Sequence, residues 1–347
     1  MKHKFLILLS LLITTGLYAG NPDRQGEAGA SELLMNPWAR SAGLHSMTTA
    51  NVFGVEAMRL NIAGLGRINK TDIYVSHALY LRGTNINKNA FGIAQKVGKN
   101  GAFGISLMAL DLGDIPVTTT EQPEGTGATF SPSFFHLGIG YAHTFENKVS
   151  VGILMRAINE STQEISAFGI ALDAGVQYVT GPKDNFKFGI SLRNVGSPMR
   201  FQGQGLAVAS PAPRGETSYQ ITLNQRAGTF ELPSVLNIGL AYDINFDEIN
   251  KLTLVGNFTS NSFSQDQFGG GVEYSLNNLF QLRGGYKYEF GSSNVEIASI
   301  YTGLCAGMSF NVPLSKENKN SVLGIDYAYR QTRLWDGTHN FSVRISL

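Results

Sequence analysis

Leu279-Phe280-Gln281-Leu282-Arg283-Gly284-Gly285-Tyr286-Lys287-Tyr288-Glu289-Phe290 alternates from end to end. Phe280, Leu282, Tyr286, Tyr288 and Phe290 share one face of an extended chain, and Gln281, Arg283, Lys287 and Glu289 share the other. Successive side chains of a strand point to opposite sides, so the two sets meet different surroundings. The pattern recurs. Phe186, Phe188, Ile190 and Leu192 oppose Lys187, Gly189, Ser191 and Arg193; Leu323, Ile325, Tyr327 and Tyr329 oppose Gly324, Asp326 and Arg330. Fourteen such segments lie between turn signals, near 71–82, 90–98, 102–112, 134–145, 149–159, 166–179, 186–195, 235–245, 252–260, 267–276, 279–290, 300–312, 322–331 and 339–347. An additional hairpin within 217–231 would raise the count.

Alternation alone fits a soluble sandwich as well as a membrane barrel. Three observations favour the barrel. The first is length, since strands of about ten residues suffice to cross a bilayer when tilted. The second is aromatics at strand ends, Tyr141, Phe145, Tyr242, Phe246, Tyr288, Phe290 and Tyr329, which suit interfacial girdles. The third is loop sorting. Links after even-numbered segments are mostly tight: Lys99-Asn100-Gly101, Glu146-Asn147-Lys148, Gly181 to Asn185, Asn277-Asn278 and Pro313 to Asn320. The long links, 113–133, 196–234 and 291–299, follow odd-numbered ones. Outer-membrane barrels have this short–long asymmetry, with an even strand count and both termini in the periplasm. The expectation is an all-β, antiparallel, up-and-down transmembrane barrel over 71–347.

Composition narrows the function. The chain has 347 residues, net charge +1, 15% charged residues, 40 glycines and one cysteine. An average soluble domain carries roughly 25% charged residues. A neutral chain does not suit nucleic acid, which selects a basic excess. One cysteine excludes a disulfide framework and a multi-cysteine metal site. Lys2-His3-Lys4, then apolar Phe5 to Leu12, then Leu17-Tyr18-Ala19 reads as a signal peptide over 1–20. No later apolar run is long enough for a spanning helix, so a membrane location requires a closed barrel. Residues 21–70 alternate poorly and are expected to form a plug or cap.

No catalytic set emerges. His136 and His143 fall on opposite faces of one segment, and no Ser-His-Asp arrangement can be read from the spacing. The chain is expected not to be an enzyme and to need no cofactor and no metal. Cys305, with Gly303 and Gly307 on its own face, reads as a small buried filler. The polar faces carry Arg156, Asp173, Lys187, Arg193, Asp243, Glu273, Arg283, Lys287, Glu289, Asp326, Arg330 and Arg344. Both signs occur, which suits a network of ion pairs filling the lumen or a polar path, not a ring of one sign. The loop bearing Asp114, Glu121, Pro123, Glu124, Gly125 and Gly127 is a candidate partner-contact surface.

Over most of residues 29–206 the chain resembles the PorV/PorQ outer-membrane family, related to FadL-type barrels. The resemblance rests on Gly29-Ala30-Ser31, Ala39-Arg40-Ser41-Ala42-Gly43 and Asn61-Ile62-Ala63-Gly64-Leu65, in that order. It continues through Leu110-Asp111-Leu112-Gly113-Asp114-Ile115, Glu121 to Gly127, Asn194-Val195-Gly196 and Met199-Arg200-Phe201. It implies a fourteen-stranded barrel with Asn61, Ala63, Gly64 and Leu65 in a plug motif. Ile62 stands where the family has proline, implying a looser turn. It also implies a Bacteroidota-type outer-membrane location and a non-enzymatic role in type IX secretion. The partners would then be a translocon or cargo proteins bearing C-terminal signal domains. The alternative is a FadL-like channel for hydrophobic small molecules, which needs an apolar pocket and an exit.

Overall fold

A computed structural model describes residues 20–146, 148–212, 219–292, 298–314 and 321–347. The expected signal peptide lies outside them, apart from Gly20. Fourteen long antiparallel strands close into a barrel. They are β1 (Thr71–Tyr80), β2 (Ile86–Val97), β3 (Gly101–Asp111), β4 (Ser133–Phe145), β5 (Val149–Thr162), β6 (Ile165–Thr180) and β7 (Phe186–Gly196). The second half comprises β8 (Val235–Asn245), β9 (Asn250–Asn261), β10 (Gln267–Leu276), β11 (Phe280–Glu289), β12 (Tyr301–Pro313), β13 (Val322–Thr332) and β14 (Thr338–Ser346). Each strand pairs with its sequence neighbours, and β1 pairs with β14 to close the ring. Closure leaves no open sheet edge, which a bilayer would not tolerate.

The two faces separate as the alternation requires. On β6, Phe168, Ile170, Leu172, Val176 and Tyr178 point outward, and Ala167, Gly169, Ala171, Asp173, Gly175, Gln177 and Val179 are buried inside. Of the strand-end aromatics, Tyr141, Phe145, Tyr242 and Phe246 lie outward near the end carrying the chain termini, and Tyr288 and Phe290 lie outward near the opposite end. Among the described residues, no helix is long and apolar enough to cross a membrane.

Loop lengths also sort by end. The links 98–100, 146–148, 181–185, 246–249 and 277–279 sit at the terminus end, whereas 112–132 and 197–234 sit at the other, hereafter the loop end. The second long link holds a ribbon outside the barrel, Ala207–Pro211 paired with Gln220–Asn224. The hairpin anticipated within 217–231 therefore starts earlier and adds no barrel strand.

Residues 20–70 form no barrel strand. They run through short helical turns, Ser31–Leu34, Ala39–Ala42, Gly54–Glu56, Ala57–Leu60 and Ile62–Arg67, and are packed against the inward faces of the strands. Trp38, Val55, Met58, Ile62 and Leu65 build one apolar core with Tyr74, Ala94, Ala102 and Leu154 of the wall.

A cation on the outward apolar face is exposed to hydrocarbon, which costs about 2–4 kcal/mol near the bilayer midplane. Leu172 is 57% exposed at the middle of β6. Leu172→Arg is expected to lower folding stability in lipid vesicles by that order, measured by urea titration.

Candidate functional site

The candidate site is the lumen and the segment within it. An irregular backbone leaves N–H and C=O groups without sheet partners, and these must be satisfied once buried. Here wall side chains do so. Asp72 accepts from the Val55 N–H at 2.9 Å, Ser76 donates to the Pro37 carbonyl at 2.7 Å, and Asn340 donates to the same carbonyl at 2.8 Å. Gln177 donates to the carbonyls of Thr49 at 3.1 Å and Val52 at 2.9 Å. Arg156 donates to the Met58 carbonyl at 3.1 Å, and Arg193 donates to that of Arg59. Polar lumen positions thus serve as partners for the segment.

Glycines on the same face let it approach. A Cβ at Gly175 would lie 2.0 Å from Asn61 Oδ1, and one at Gly189 would lie 2.4 Å from the Thr49 carbonyl oxygen. Asn61 is fully buried and donates to the carbonyls of Thr49 at 2.9 Å and Val176 at 3.1 Å. Its Oδ1 accepts from the Ala63 N–H at 3.2 Å and caps the turn Ile62–Arg67. Ala63, Gly64 and Leu65 are buried in that turn. Ile62 opens this capped turn, and its side chain is buried against the wall at Gly140.

Of the twelve polar-face charges read from sequence, Arg156, Asp173, Lys187, Arg193, Glu273, Arg283, Asp326 and Arg330 lie inside the barrel. Arg156 pairs with Asp173 at 2.7 Å, Lys187 with Asp243 at 2.7 Å, and Arg283 with Glu273 at 2.8 Å. Glu273 also faces Arg40 of the segment at 3.5 Å. Among the described residues Arg330 joins no such pair; its guanidinium lies over the Tyr301 ring, 4.5 Å from the centroid. The loop residues lie apart from this network. Asp114, Glu121, Pro123, Glu124 and Gly127 are exposed, and Gly125 is half-buried. Cys305 is buried with a free thiol.

Sequence reading missed the contacts that depend on the segment's path. Glu32 meets His136 at 3.0 Å, deep inside. Trp38 stacks on Tyr74 with ring centroids 4.9 Å apart. The Tyr74 hydroxyl is 2.7 Å from both Glu56 Oε1 and Asp326 Oδ2. A hydroxyl has one proton, so it donates to one carboxyl and must accept from the other. Asp326 also accepts from the Ser309 hydroxyl. Burial pushes the Glu56 carboxyl above its ordinary value, with Asp326 adding to the push and Arg40 opposing it. Burial thus favours the protonated form of Glu56. The hint available in sequence was the polar inward row Asp72, Tyr74 and Ser76 on β1.

Two cavities flank the segment. The outer vestibule, at the loop end, has a volume of about 450 Å³. Leu34, Met35 and Leu60 of the segment line it with Val235 and Ile300, beside Tyr80 and Tyr301. The inner vestibule, at the terminus end, has about 310 Å³ and is lined by Arg40, Phe53, Arg67, Lys251 and Arg344 among others. The Phe53 ring lies beneath the guanidiniums of Arg40 and Arg344, at 4.5 and 5.6 Å from its centroid.

No family model matches the chain, and no curated protein matches it in sequence. Solved structures do match in fold. The toluene transporter TbuX of Ralstonia pickettii superposes with a TM-score of 0.54 at 14% identity, over 89% of this chain and 97% of that one. The toluene transporter TodX of Pseudomonas putida gives 0.53 at 12% identity, over 88% and 96%. A FadL homologue of Pseudomonas aeruginosa gives 0.51 at 11% identity, over 89% and 97%. The fold is that of a FadL-type outer-membrane barrel. These neighbours are described as transporters or as a FadL homologue, and they bear on the FadL-type part of the resemblance alone.

Two outcomes test this geometry. Gly175→Ala forces Asn61 from its pocket, an overpacking that costs roughly 1–3 kcal/mol, and hydrogen exchange across 61–67 is expected to accelerate. The second concerns Glu56, which holds its proton to higher pH when folded than when unfolded. Its contribution is complete below its ordinary value of 4.5 and is lost as pH rises through its folded value. Protection of amides 54–60, corrected for intrinsic exchange, should fall with rising pH in the wild type. Glu56→Gln should remove that fall.

Proposed function

We propose that the protein is a gated outer-membrane channel for small hydrophobic molecules. Residues 20–70 serve as its plug, and the termini face the periplasm of a Gram-negative cell after export. The observation that carries this reading is the pair of cavities separated by one segment that forms no part of the barrel wall. That segment is held by side-chain hydrogen bonds and packing, not by ladder bonds of the sheet, so it can shift without opening the barrel wall. The outer vestibule has the volume of an ordinary small-molecule site. Its aliphatic floor, Leu34, Met35 and Leu60, together with Ile300, Tyr80 and Tyr301, offers apolar contact to an entering solute. The fold shared with toluene transporters supports the same class of cargo. The outward apolar belt would contact membrane lipid.

A second reading is favoured by the exposed loops. In it, the barrel handles secreted protein cargo of a type IX system, as the PorV/PorQ resemblance implies. The long link 112–132 presents Asp114, Glu121 and Glu124 to solvent, and the 197–234 link presents Val208, Tyr219 and Leu223. These surfaces suit a protein partner better than they suit a solute.

The test is uptake of a labelled monoaromatic hydrocarbon by a Gram-negative host with the folded chain in its outer membrane. Uptake should exceed that of a host lacking the chain. Unchanged uptake by heat-modifiable, folded protein would refute the channel. Recovery of a translocon or of proteins sharing a C-terminal domain, after gentle extraction from native membranes, would favour the second reading.

A further inference from the structure

Among the described residues, the outer vestibule is lined by more cationic than anionic side chains. Arg193, Lys287 and Arg330 line it, and among its described lining residues Glu289 is the one carboxylate. Glu289 is already engaged by the Ser299 N–H at 3.2 Å. Arg330 is 4% exposed, yet its Nε and Nη2 have no hydrogen-bond partner. Arg193 is 8% exposed, and its Nε has none. His45, on the segment side of the same cavity, has an unpartnered Nε2 and lies edge-on to Tyr301 with ring centroids 5.4 Å apart. Behind Tyr80, another lining residue, the fully buried Lys88 ammonium sits 4.7 Å from that ring's centroid without a hydrogen-bond partner.

The contrast with the rest of the lumen gives this its meaning. Arg156, Lys187 and Arg283 each face a carboxylate within 3 Å. Among the described residues, Arg193 and Arg330 form no ion pair. A buried cation without a counter-charge is costly, and an unfilled donor adds to that cost. Guanidinium forks match the paired oxygens of carboxylate and phosphate. The vestibule has space for such a group beside these side chains.

We propose that the outer vestibule is a binding site for an oxyanion group, carboxylate or phosphate, docked on Arg193, Lys287 and Arg330. The anion supplies the missing counter-charge. Through His45 it also touches the segment, so occupancy ties the segment to the β7, β11 and β13 walls. The site does not depend on the hydrocarbon reading, because its test contains no transport step.

The experiment uses the full-length protein in a non-ionic detergent, with chloride held constant. Calorimetry and thermal unfolding are followed with inorganic phosphate in one arm, benzoate in a second and toluene in a third. Saturable binding of phosphate or benzoate, with a rise in unfolding temperature, supports the site. Phosphate identifies a free oxyanion as the occupant, and benzoate alone identifies the carboxylate end of a larger solute. Arg330→Gln should weaken binding at least tenfold, and Glu289→Gln, which removes the lining carboxylate, should strengthen it. If Arg330→Gln does not fold, the Glu289→Gln comparison decides. Binding of neither anion, equal affinity in folded Arg330→Gln, or no gain in Glu289→Gln would overturn the proposal. Toluene binding without anion binding would overturn it while leaving the channel reading intact.

Discussion

The structure turns on how some fifty residues of irregular backbone are accommodated inside a closed barrel. Peptide groups that leave a helix or sheet must find other partners once buried, because an unmade hydrogen bond costs about 1–3 kcal/mol. The wall supplies those partners from strands far apart in sequence. Gln177, Asn340, Arg156 and Arg193 each place a donor on a segment carbonyl. Asp72 takes the Val55 N–H in return. The polar character of the inward face is thus explained by the segment it holds as well as by water.

Space is the second half of the same constraint. Side chains of ordinary size on the inward face would keep the segment away from the wall and its donors out of range. Gly175 and Gly189 show the required approach, since each leaves no space for a Cβ. The high glycine content therefore reflects packing of one chain segment against many strands, and not flexibility of the strands themselves.

Charge completes the arrangement, and its distribution is uneven. Toward the terminus end, Arg40 and Arg283 converge on Glu273, and near mid-barrel Arg156 is matched by Asp173. Near Tyr74, the phenol hydroxyl bridges the buried carboxyl groups of Glu56 and Asp326. Toward the loop end, Arg193 and Arg330 form no ion pair among the described residues. A closed, self-satisfied network holds the segment at one end, and an unsatisfied one surrounds the cavity at the other.

Much of the barrel was legible in the sequence by itself. A period of two is enforced residue by residue, so the alternation in 279–290 and 322–330 marked strands and their two faces without knowledge of any partner. The count of fourteen agrees with the closed sheet, and loop lengths identified the two ends. Charges such as Arg156, Asp173 and Arg283 were placed inside for the same reason, since each sits on the polar side of an alternating strand. The path of residues 20–70 was not legible, because irregular backbone has no period and its partners lie up to 300 residues away. Asn61 could be singled out within a motif, but its bonds to Thr49 and Val176 depend on Gly175 lying opposite. The meeting of Glu56, Tyr74 and Asp326 and the missing counter-charge at Arg330 were likewise settled by tertiary structure. Burial and pairing are properties of the space between elements, and only the folded barrel defines that space.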